Sequence, residues 1–140
     1  MPYRKALIRT YRSENDKLLF ALAKSVFGER SAWHDRRALD VLESDTVFVA
    51  ELEGSPAGYV AVEHADEAVV IEQLFVNPAR EGEGIGRQLL EYAEGYAISG
   101  GARSLQIVVE SDNCRALTFY RARGFVPIGG ERLELILPQR

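Results

Sequence analysis

The residues with the clearest capacity for chemistry form a glycine-rich stretch between a predicted strand and a predicted helix. The stretch reads Asn77-Pro78-Ala79-Arg80-Glu81-Gly82-Glu83-Gly84-Ile85-Gly86. Glycine lets the backbone turn tightly and approach a ligand without a Cβ in the way. The first turn of a helix carries unpaired N–H groups and a partial positive charge, which favour a phosphate. The stretch therefore predicts an anion-binding loop, with a flexible connection as the alternative.

The spacing of the loop excludes two nucleotide-binding motifs. A P-loop ends in Gly-Lys-Ser/Thr, whereas Gly86 is followed by Arg87 and Gln88. A dinucleotide fingerprint needs a glycine three positions after the second glycine, where this chain has Arg87 or Leu89. Neither motif is present.

Two segments together resemble the GNAT superfamily of N-acetyltransferases. The run from Val76-Asn77-Pro78 through Gly86-Arg87-Gln88-Leu89-Leu90 is similar to the acetyl-CoA loop of that family. A downstream segment matches the family pattern Asn-x-x-Ala-x-x-Phe-Tyr-x-x-x-Gly-Phe at Asn113, Ala116, Phe119, Tyr120, Gly124 and Phe125. The resemblance covers about residues 68–130 and implies the family fold, with acetyl-CoA as co-substrate.

The resemblance implies a set of residues that hold acetyl-CoA. Backbone groups of Leu74, Phe75 and Val76 would pair with the pantetheine arm. The phosphates would lie against the loop and the following helix, and the implied contacts are Arg80, Glu81, Gly82, Glu83, Gly84, Ile85, Gly86, Arg87, Asn113, Ala116 and Tyr120. The family has Gln or Arg where this chain has Glu81. We expect this difference to affect the affinity for CoA. Asn113 is also suited to be an ordinary helix N-cap.

The resemblance also implies two catalytic residues. Tyr120 matches the tyrosine that protonates the departing CoA thiolate, and a phenol is still protonated at pH 7. The alternative is a core tyrosine, since Asn113, Ala116 and Tyr120 share one helical face. Glu72 matches the glutamate that deprotonates the incoming ammonium, with an exposed strand carboxylate as the alternative. Glu63 on the preceding strand is the substitute base.

Acceptor selection in the family is made by the first two helices, which implies Trp33 and His34 as substrate contacts. Packing for Trp33 and simple surface exposure for His34 are the alternatives. Cys114 is not expected to act as a nucleophile, because no histidine or acid lies beside it in sequence.

The elements that must position these residues follow from periodicity and turn residues. Strands are predicted over 3–11, 46–52, 57–63, 68–76, 104–110 and 131–137. Helices are predicted from Ser13 to Gly28, from about Ala32 to Leu42, after Gly86 and over 113–123. The order βααβββαβαβ predicts an α/β (α+β) fold, a GNAT-like mixed and mostly antiparallel twisted sheet flanked by helices, as one domain over residues 1–140.

Composition narrows the class of protein and its partners. The chain has 140 residues and a net charge of −4, so nucleic acid and anionic membranes are not expected partners. One cysteine and two distant histidines predict no disulfide and no metal site. The charged N-terminus and the absence of a long apolar run predict a cytoplasmic protein. The alternating residues Arg132 to Leu137 offer a strand for a homodimer.

The leading functional hypothesis is an N-acetyltransferase that moves acetyl from acetyl-CoA to a primary amine by direct attack. The acceptor is a small-molecule amine or a protein amine. Two alternatives stay open at this point: an acyl-CoA-binding module with little or no turnover, and a transferase that uses another acyl-CoA.

Overall fold

The computed structural model describes residues 3–10 and 46–139. The two helices predicted between Ser13 and Leu42 lie outside the described residues, and so do Trp33 and His34.

The described part of the chain forms one seven-stranded sheet with the order β1-β2-β3-β4-β5-β7-β6. Only β4 and β5 are parallel neighbours, which confirms the predicted mixed, mostly antiparallel α/β class. The strands are β1 (Leu7–Thr10), β2 (Thr46–Leu52), β3 (Ser55–Ala65), β4 (Ala68–Val76), β5 (Ser104–Val108), β6 (Val126–Gly129) and β7 (Arg132–Ile136).

Two α-helices are described, and both belong to the predicted site. Helix α1 (Ile85–Ser99) begins directly after the glycine loop, and α2 (Cys114–Arg121) begins after Asn113. A short 3₁₀ turn (Pro78–Arg80) precedes the loop and was not predicted. Asn77 forms it by accepting a hydrogen bond from the N–H of Ala79 at 3.0 Å.

The connection between β2 and β3 is shorter than the gap between the strands predicted over 46–52 and 57–63. Glu53 and Gly54 both have positive φ, and Leu52 pairs directly with Ser55. Such a two-residue turn matches the right-handed twist of a hairpin. Pro56 therefore belongs to β3 and not to the turn.

The C-terminal strand differs from the prediction in one respect. The expected single strand is the second half of a hairpin, whose first half is β6. Strand β7 pairs with β5 on one edge and with β6 on the other. The strand that was expected to serve a homodimer is therefore hydrogen-bonded along both edges within the chain. The edge strands of the described sheet are β1 and β6.

The core beside α1 forms where the apolar stripe of the helix covers β2 to β5. Leu89, Leu90, Ala93 and Ala97 are fully buried and recur at helical spacing. They pack in one cluster with the inward residues of the strands, Phe48, Val60, Val62, Val69, Ile71 and Leu105. This packing fixes the first turn of α1, and with it the glycine loop, against the end of β4.

Gly58 allows this close packing, and its replacement gives the first prediction. A Cβ on Gly58 would collide with the backbone oxygen of Phe75 and lie 3.2 Å from Cδ1 of Leu89. We expect Gly58→Ala to lower the free energy of unfolding by about 3 kcal/mol, since overpacking against backbone cannot relax cheaply. Chemical denaturation measures this, and Gly95→Ala on the open face of α1 is the control. A loss below about 0.5 kcal/mol, within ordinary surface-substitution effects, would refute this packing.

A bulge in β4 opens the sheet beside the site. The register between β3 and β4 skips Glu72, which is therefore an extra residue in β4. Pairing between β4 and β5 ends at Ile71, one residue before the bulge. Strand β5 pairs with β4 only as far as that point. The two strands then diverge and leave a gap between them.

Candidate active site

A cleft of about 620 Å³ lies between the C-terminal end of β4, the glycine loop and α2. Most of the residues implied by the family resemblance meet in it. Its predicted lining residues are Leu74, Val76, Arg80, Glu81, Gly82, Gly84, Ile85, Gly86, Arg87, Asn113, Ala116 and Tyr120. Four further lining residues were not predicted: Tyr3, Arg115, Phe119 and Arg123.

The glycine loop presents the start of α1 to the cleft. Gly84 is the N-cap, and its φ of 83° is one that residues with a Cβ rarely adopt. The first bond of the helix runs from the N–H of Gln88 to the oxygen of Gly84, at 3.1 Å. The N–H groups of Ile85, Gly86 and Arg87 precede that bond and have no helical acceptor. They form a set of donors suited to an anion.

Gly86 leaves room in the cleft that a side chain would fill. A Cβ there would lie 3.5 Å from Val76, 3.8 Å from Leu74 and 3.9 Å from Phe119. These are ordinary van der Waals distances, so the space between the strand and α2 is shaped for a slender occupant. The pantetheine arm of CoA, an apolar chain with amide groups, fits that description. The cleft thus suits both the anionic phosphates and the slender pantetheine arm of acetyl-CoA.

The charge of the cleft is the opposite of the charge of the chain. Four arginines line it (Arg80, Arg87, Arg115 and Arg123) against one carboxylate, Glu81. The Glu81 carboxylate lies 3.5 Å from the guanidinium of Arg115 across the cleft. The negative charge of Glu81 is therefore balanced within the site. The sequence alone did not show how this carboxylate affects the affinity for CoA.

The second carboxylate of the loop turns away from the cleft. Glu83 is not among the lining residues, and its carboxylate lies 3.7 Å from Nη1 of Arg80. Its Oε1 is buried and has no hydrogen-bond partner among the described residues. The expected contact between Glu83 and CoA is therefore limited to the backbone of the loop.

Tyr120 is held rigidly at the inner wall. Its ring makes edge-to-face contacts with Phe119 and Phe125, at centroid distances of 5.1 and 5.4 Å. The side chain is 4% exposed, and burial raises the pKa of its hydroxyl, which keeps the proton in place. No described residue accepts a hydrogen bond from the hydroxyl. The two interpretations of Tyr120 are compatible, because the residue belongs to the core cluster and also lines the cleft.

Helix α2 contributes one face to the cleft. Asn113 caps the helix by accepting a hydrogen bond from the N–H of Ala116 at 3.2 Å, so its predicted capping role is confirmed. Arg123 stands over the ring of Phe119, at 4.5 Å from its centroid. Phe119 and Arg123 follow Ala116 by three and seven positions, the spacing that places residues on one helical face together with Tyr120. This spacing could have identified both as cleft residues from the sequence.

Glu72, Phe75 and Glu63 do not line the cleft. Phe75 packs against Tyr59 at 5.5 Å between ring centroids, which accounts for its ring being outside the cleft. Glu72 is half-buried at the bulge, at the point where β4 and β5 diverge. The next residue, Gln73, accepts a hydrogen bond of 2.6 Å from the hydroxyl of buried Tyr59, which fixes this part of the strand. Glu63 is exposed.

Three further features of the described residues bear on the sequence predictions. Among the described residues, no group of His, Cys, Asp and Glu side chains could hold a metal ion. Cys114 is free and exposed at the start of α2. No helix in the described part of the chain is both long and apolar enough to span a membrane.

Solved structures show which class of fold this is. The paiA N-acetyltransferase of Thermoplasma acidophilum, solved in complex with coenzyme A, superimposes with a TM-score of 0.80 at 18% identity. The match covers 95% of this chain and 99% of that one. The fold is therefore that of an acetyltransferase.

Sequence comparison identifies the family. The family model described as Acetyltransferase (GNAT) family matches residues 7–125, and the chain belongs to that family. An uncharacterized N-acetyltransferase of Methanocaldococcus jannaschii is 34% identical over 90 aligned positions, which cover 59% of this chain and 40% of the relative. Streptothricin acetyltransferase of Streptomyces lavendulae is 34% identical over 89 positions, 62% of this chain and 47% of the relative. The matches thus span about half the length of these curated relatives.

Proposed function

We propose that this chain transfers an acetyl group from acetyl-CoA to a primary amine. The observation that carries the proposal is the continuity of the cleft. The first residues of α1, among them Gly86, and Tyr120 of α2 line one space of about 620 Å³. Arginines surround the part of the cleft that would bind the phosphates, although the chain as a whole has a net charge of −4.

The residues divide the proton transfers of the reaction between them. Acetyl-CoA supplies a thioester whose carbonyl carbon is attacked by a neutral amine; the C–N bond forms, the C–S bond breaks and CoA leaves. Tyr120 donates a proton to the departing sulfur, and the proton that the attacking nitrogen releases on becoming an amide restores the phenol. Glu72, at the bulge, accepts the proton that the incoming ammonium must lose. Because a free amine with a pKa near 10 is only about one part in a thousand neutral at pH 7, this acceptor is needed.

The C-terminal end of β4 positions the donor substrate. Pairing between β4 and β5 ends at Ile71, and beyond it lie the backbone groups of Leu74 and Val76, two residues that line the cleft. An extended pantetheine arm can pair with them as an added strand. Backbone N–H groups there are the donors that would stabilise negative charge on the thioester oxygen. Glu72 lies at the bulge of the same strand, outside the lining of the cleft, so its role as base requires the amine to approach from the bulge.

A binding module without turnover is the less supported function. The feature that favoured it was Glu81, a carboxylate in a loop that should hold a pyrophosphate. Glu81 lies 3.5 Å from Arg115, an exposed ion pair that offsets its charge, and four arginines line the cleft against this one carboxylate.

We propose a small-molecule amine as the acceptor. Support comes from the relative named streptothricin acetyltransferase, whose named substrate is a small molecule. A protein amine would be the acceptor if only peptides released thiol in the assay. The acceptor contacts proposed from the sequence, Trp33 and His34, lie outside the described residues.

The direct test of the proposed function is thiol release from acetyl-CoA in the presence of single amines. The purified chain is incubated with acetyl-CoA and a panel of small amines, lysine-containing peptides and peptides with free N-termini. We expect amine-dependent release and an acetylated product detected by mass spectrometry. Release with propionyl-CoA but not acetyl-CoA would instead assign another acyl donor. Acetyl-CoA binding without release for any amine would favour the binding module.

Gly86 gives a prediction about affinity. We expect Gly86→Ala to weaken CoA binding about tenfold, because the methyl group enters the space between Val76 and Phe119. Overpacking costs about 1–3 kcal/mol, and 1.4 kcal/mol is a factor of about ten in binding. Calorimetric titration with CoA measures the change.

The control for Gly86→Ala lies on the same helix. Gly95 has open space where its Cβ would be, so Gly95→Ala should stabilise α1 by about 0.5–1 kcal/mol and leave CoA affinity unchanged. Equal affinities for the two variants would show that the ligand does not pass Gly86.

A further inference from the structure

The first described residues of the chain lie against the glycine loop. The N–H of Arg4 donates a hydrogen bond of 2.9 Å to the oxygen of Glu83. The ring of Tyr3 covers Gly84 so closely that a Cβ there would lie 2.6 Å from Cδ2 of the tyrosine. Tyr3 is 55% exposed and lines the cleft. An exposed aromatic ring at the N-cap of α1 is a surface that a ligand on this loop would meet.

Gln88 fixes this arrangement from inside. Its side chain is 6% exposed and makes three hydrogen bonds. Nε2 donates to the oxygen of Arg4 at 2.6 Å and to the oxygen of Gly84 at 3.2 Å, and Oε1 accepts from the N–H of Ala6 at 2.9 Å. Both amide hydrogens and the oxygen are therefore used. One buried amide joins the N-terminal segment, the glycine loop and the first turn of α1.

The other side chains of this segment do not serve the cleft. The Arg4 guanidinium pairs with Glu53, and neither residue lines the cleft. Ala6 is buried in the core, and Lys5 is exposed away from the lining residues. Of residues 3–6, only Tyr3 reaches the space where a ligand would lie.

We propose that residues 3–6 are part of the acyl-CoA site, in which Tyr3 is a binding residue and Gln88 is a positioning residue. Tyr3 forms the wall beside the phosphate-binding turn and contacts the nucleotide end of CoA rather than the thioester. Gln88 acts through Tyr3 and Gly84 by holding both in register. This inference rests on the proposed function, since it assumes that CoA occupies the cleft.

The experiment compares four variants by calorimetric titration with CoA and by steady-state kinetics. Tyr3→Ala should weaken CoA binding about fivefold to tenfold, as expected for the loss of one aromatic contact. Tyr3→Phe keeps the ring and should stay within about twofold of the unaltered chain. Lys5→Ala, on the same segment, should have no effect. Leucine has a volume similar to that of glutamine but forms no side-chain hydrogen bonds, so Gln88→Leu should weaken CoA binding at least as much as Tyr3→Ala.

A positioning role has a kinetic signature that a general loss of stability lacks. Gln88→Leu should raise KM for acetyl-CoA while kcat and KM for the amine stay within about twofold. Combining it with Tyr3→Ala should weaken binding by less than the product of the two single effects, because both act on one contact.

The results that overturn the inference differ from those that overturn the proposed function. Absence of CoA binding by the unaltered chain refutes the function, and the inference with it. Normal CoA binding by folded Tyr3→Ala refutes the inference alone and leaves the function standing. Since Tyr3 is exposed, this variant is expected to fold even if Gln88→Leu does not.

Discussion

Replacing Tyr120 with phenylalanine is expected to lower kcat for acetyl transfer by about 10²-fold, the usual contribution of a positioned proton donor. The ring contacts with Phe119 and Phe125 are kept, so the free energy of unfolding and the affinity for CoA should change little. Burial raises the pKa of the Tyr120 hydroxyl above its ordinary value near 10. The phenol therefore stays protonated at neutral pH, and its ionisation adds no alkaline limb to the pH–rate profile below that value.

The matched control for this substitution is Tyr92→Phe. Tyr92 lies on the exposed side of α1, outside the cleft lining, and losing its hydroxyl should leave kcat unchanged. Steady-state kinetics at saturating acetyl-CoA and amine give the comparison. If Tyr120→Phe retained full kcat, Tyr120 would be a packing residue and another group or water would protonate the sulfur.

Replacing Glu72 with glutamine should lower kcat/KM for the amine by about 10²-fold at pH 7. Glutamine has nearly the same size and cannot accept the ammonium proton. The deficit should shrink as pH rises toward the amine's own pKa near 10, since the neutral amine then forms in solution. The acidic limb of the pH–rate profile, which reports protonation of the base, should move or disappear.

Glu63→Gln is the control for the base. Glu63 is an exposed carboxylate on β3, the strand adjacent to β4, and it should keep both the rate and the acidic limb. If the limb moved in this variant and stayed in Glu72→Gln, the base would be Glu63. An unmoved limb in both variants would leave a water path to another group.

Where one residue pattern dominated, the sequence predicted the element well. The bounds of β2 and β4 are those predicted, because β-branched and apolar residues fill both strands and turn residues flank them. Strand β6 was missed since Pro127 and Gly129 weaken any strand pattern, and its four residues are all exposed. The bulge at Glu72 was also missed, because it depends on the register with β3 and not on the residues of β4 alone.

The candidate site shows the same division between local and long-range information. The glycine loop and the face of α2 are each encoded within a few residues, so the motifs identified them. The pairing of Glu81 with Arg115 and the contact of Tyr3 with Gly84 join segments far apart in the chain. No short pattern records such contacts, and they emerge only when the sheet brings the segments together.

Calorimetric titration of the purified chain with acetyl-CoA, beside dephosphorylated pantetheine, tests the central claim most directly. We expect saturable binding of one acetyl-CoA per chain and much weaker binding of pantetheine, because the loop donors and the arginines act on the phosphates. Equal binding of the two ligands, or no binding of acetyl-CoA, would contradict the assignment of this cleft as an acyl-CoA site.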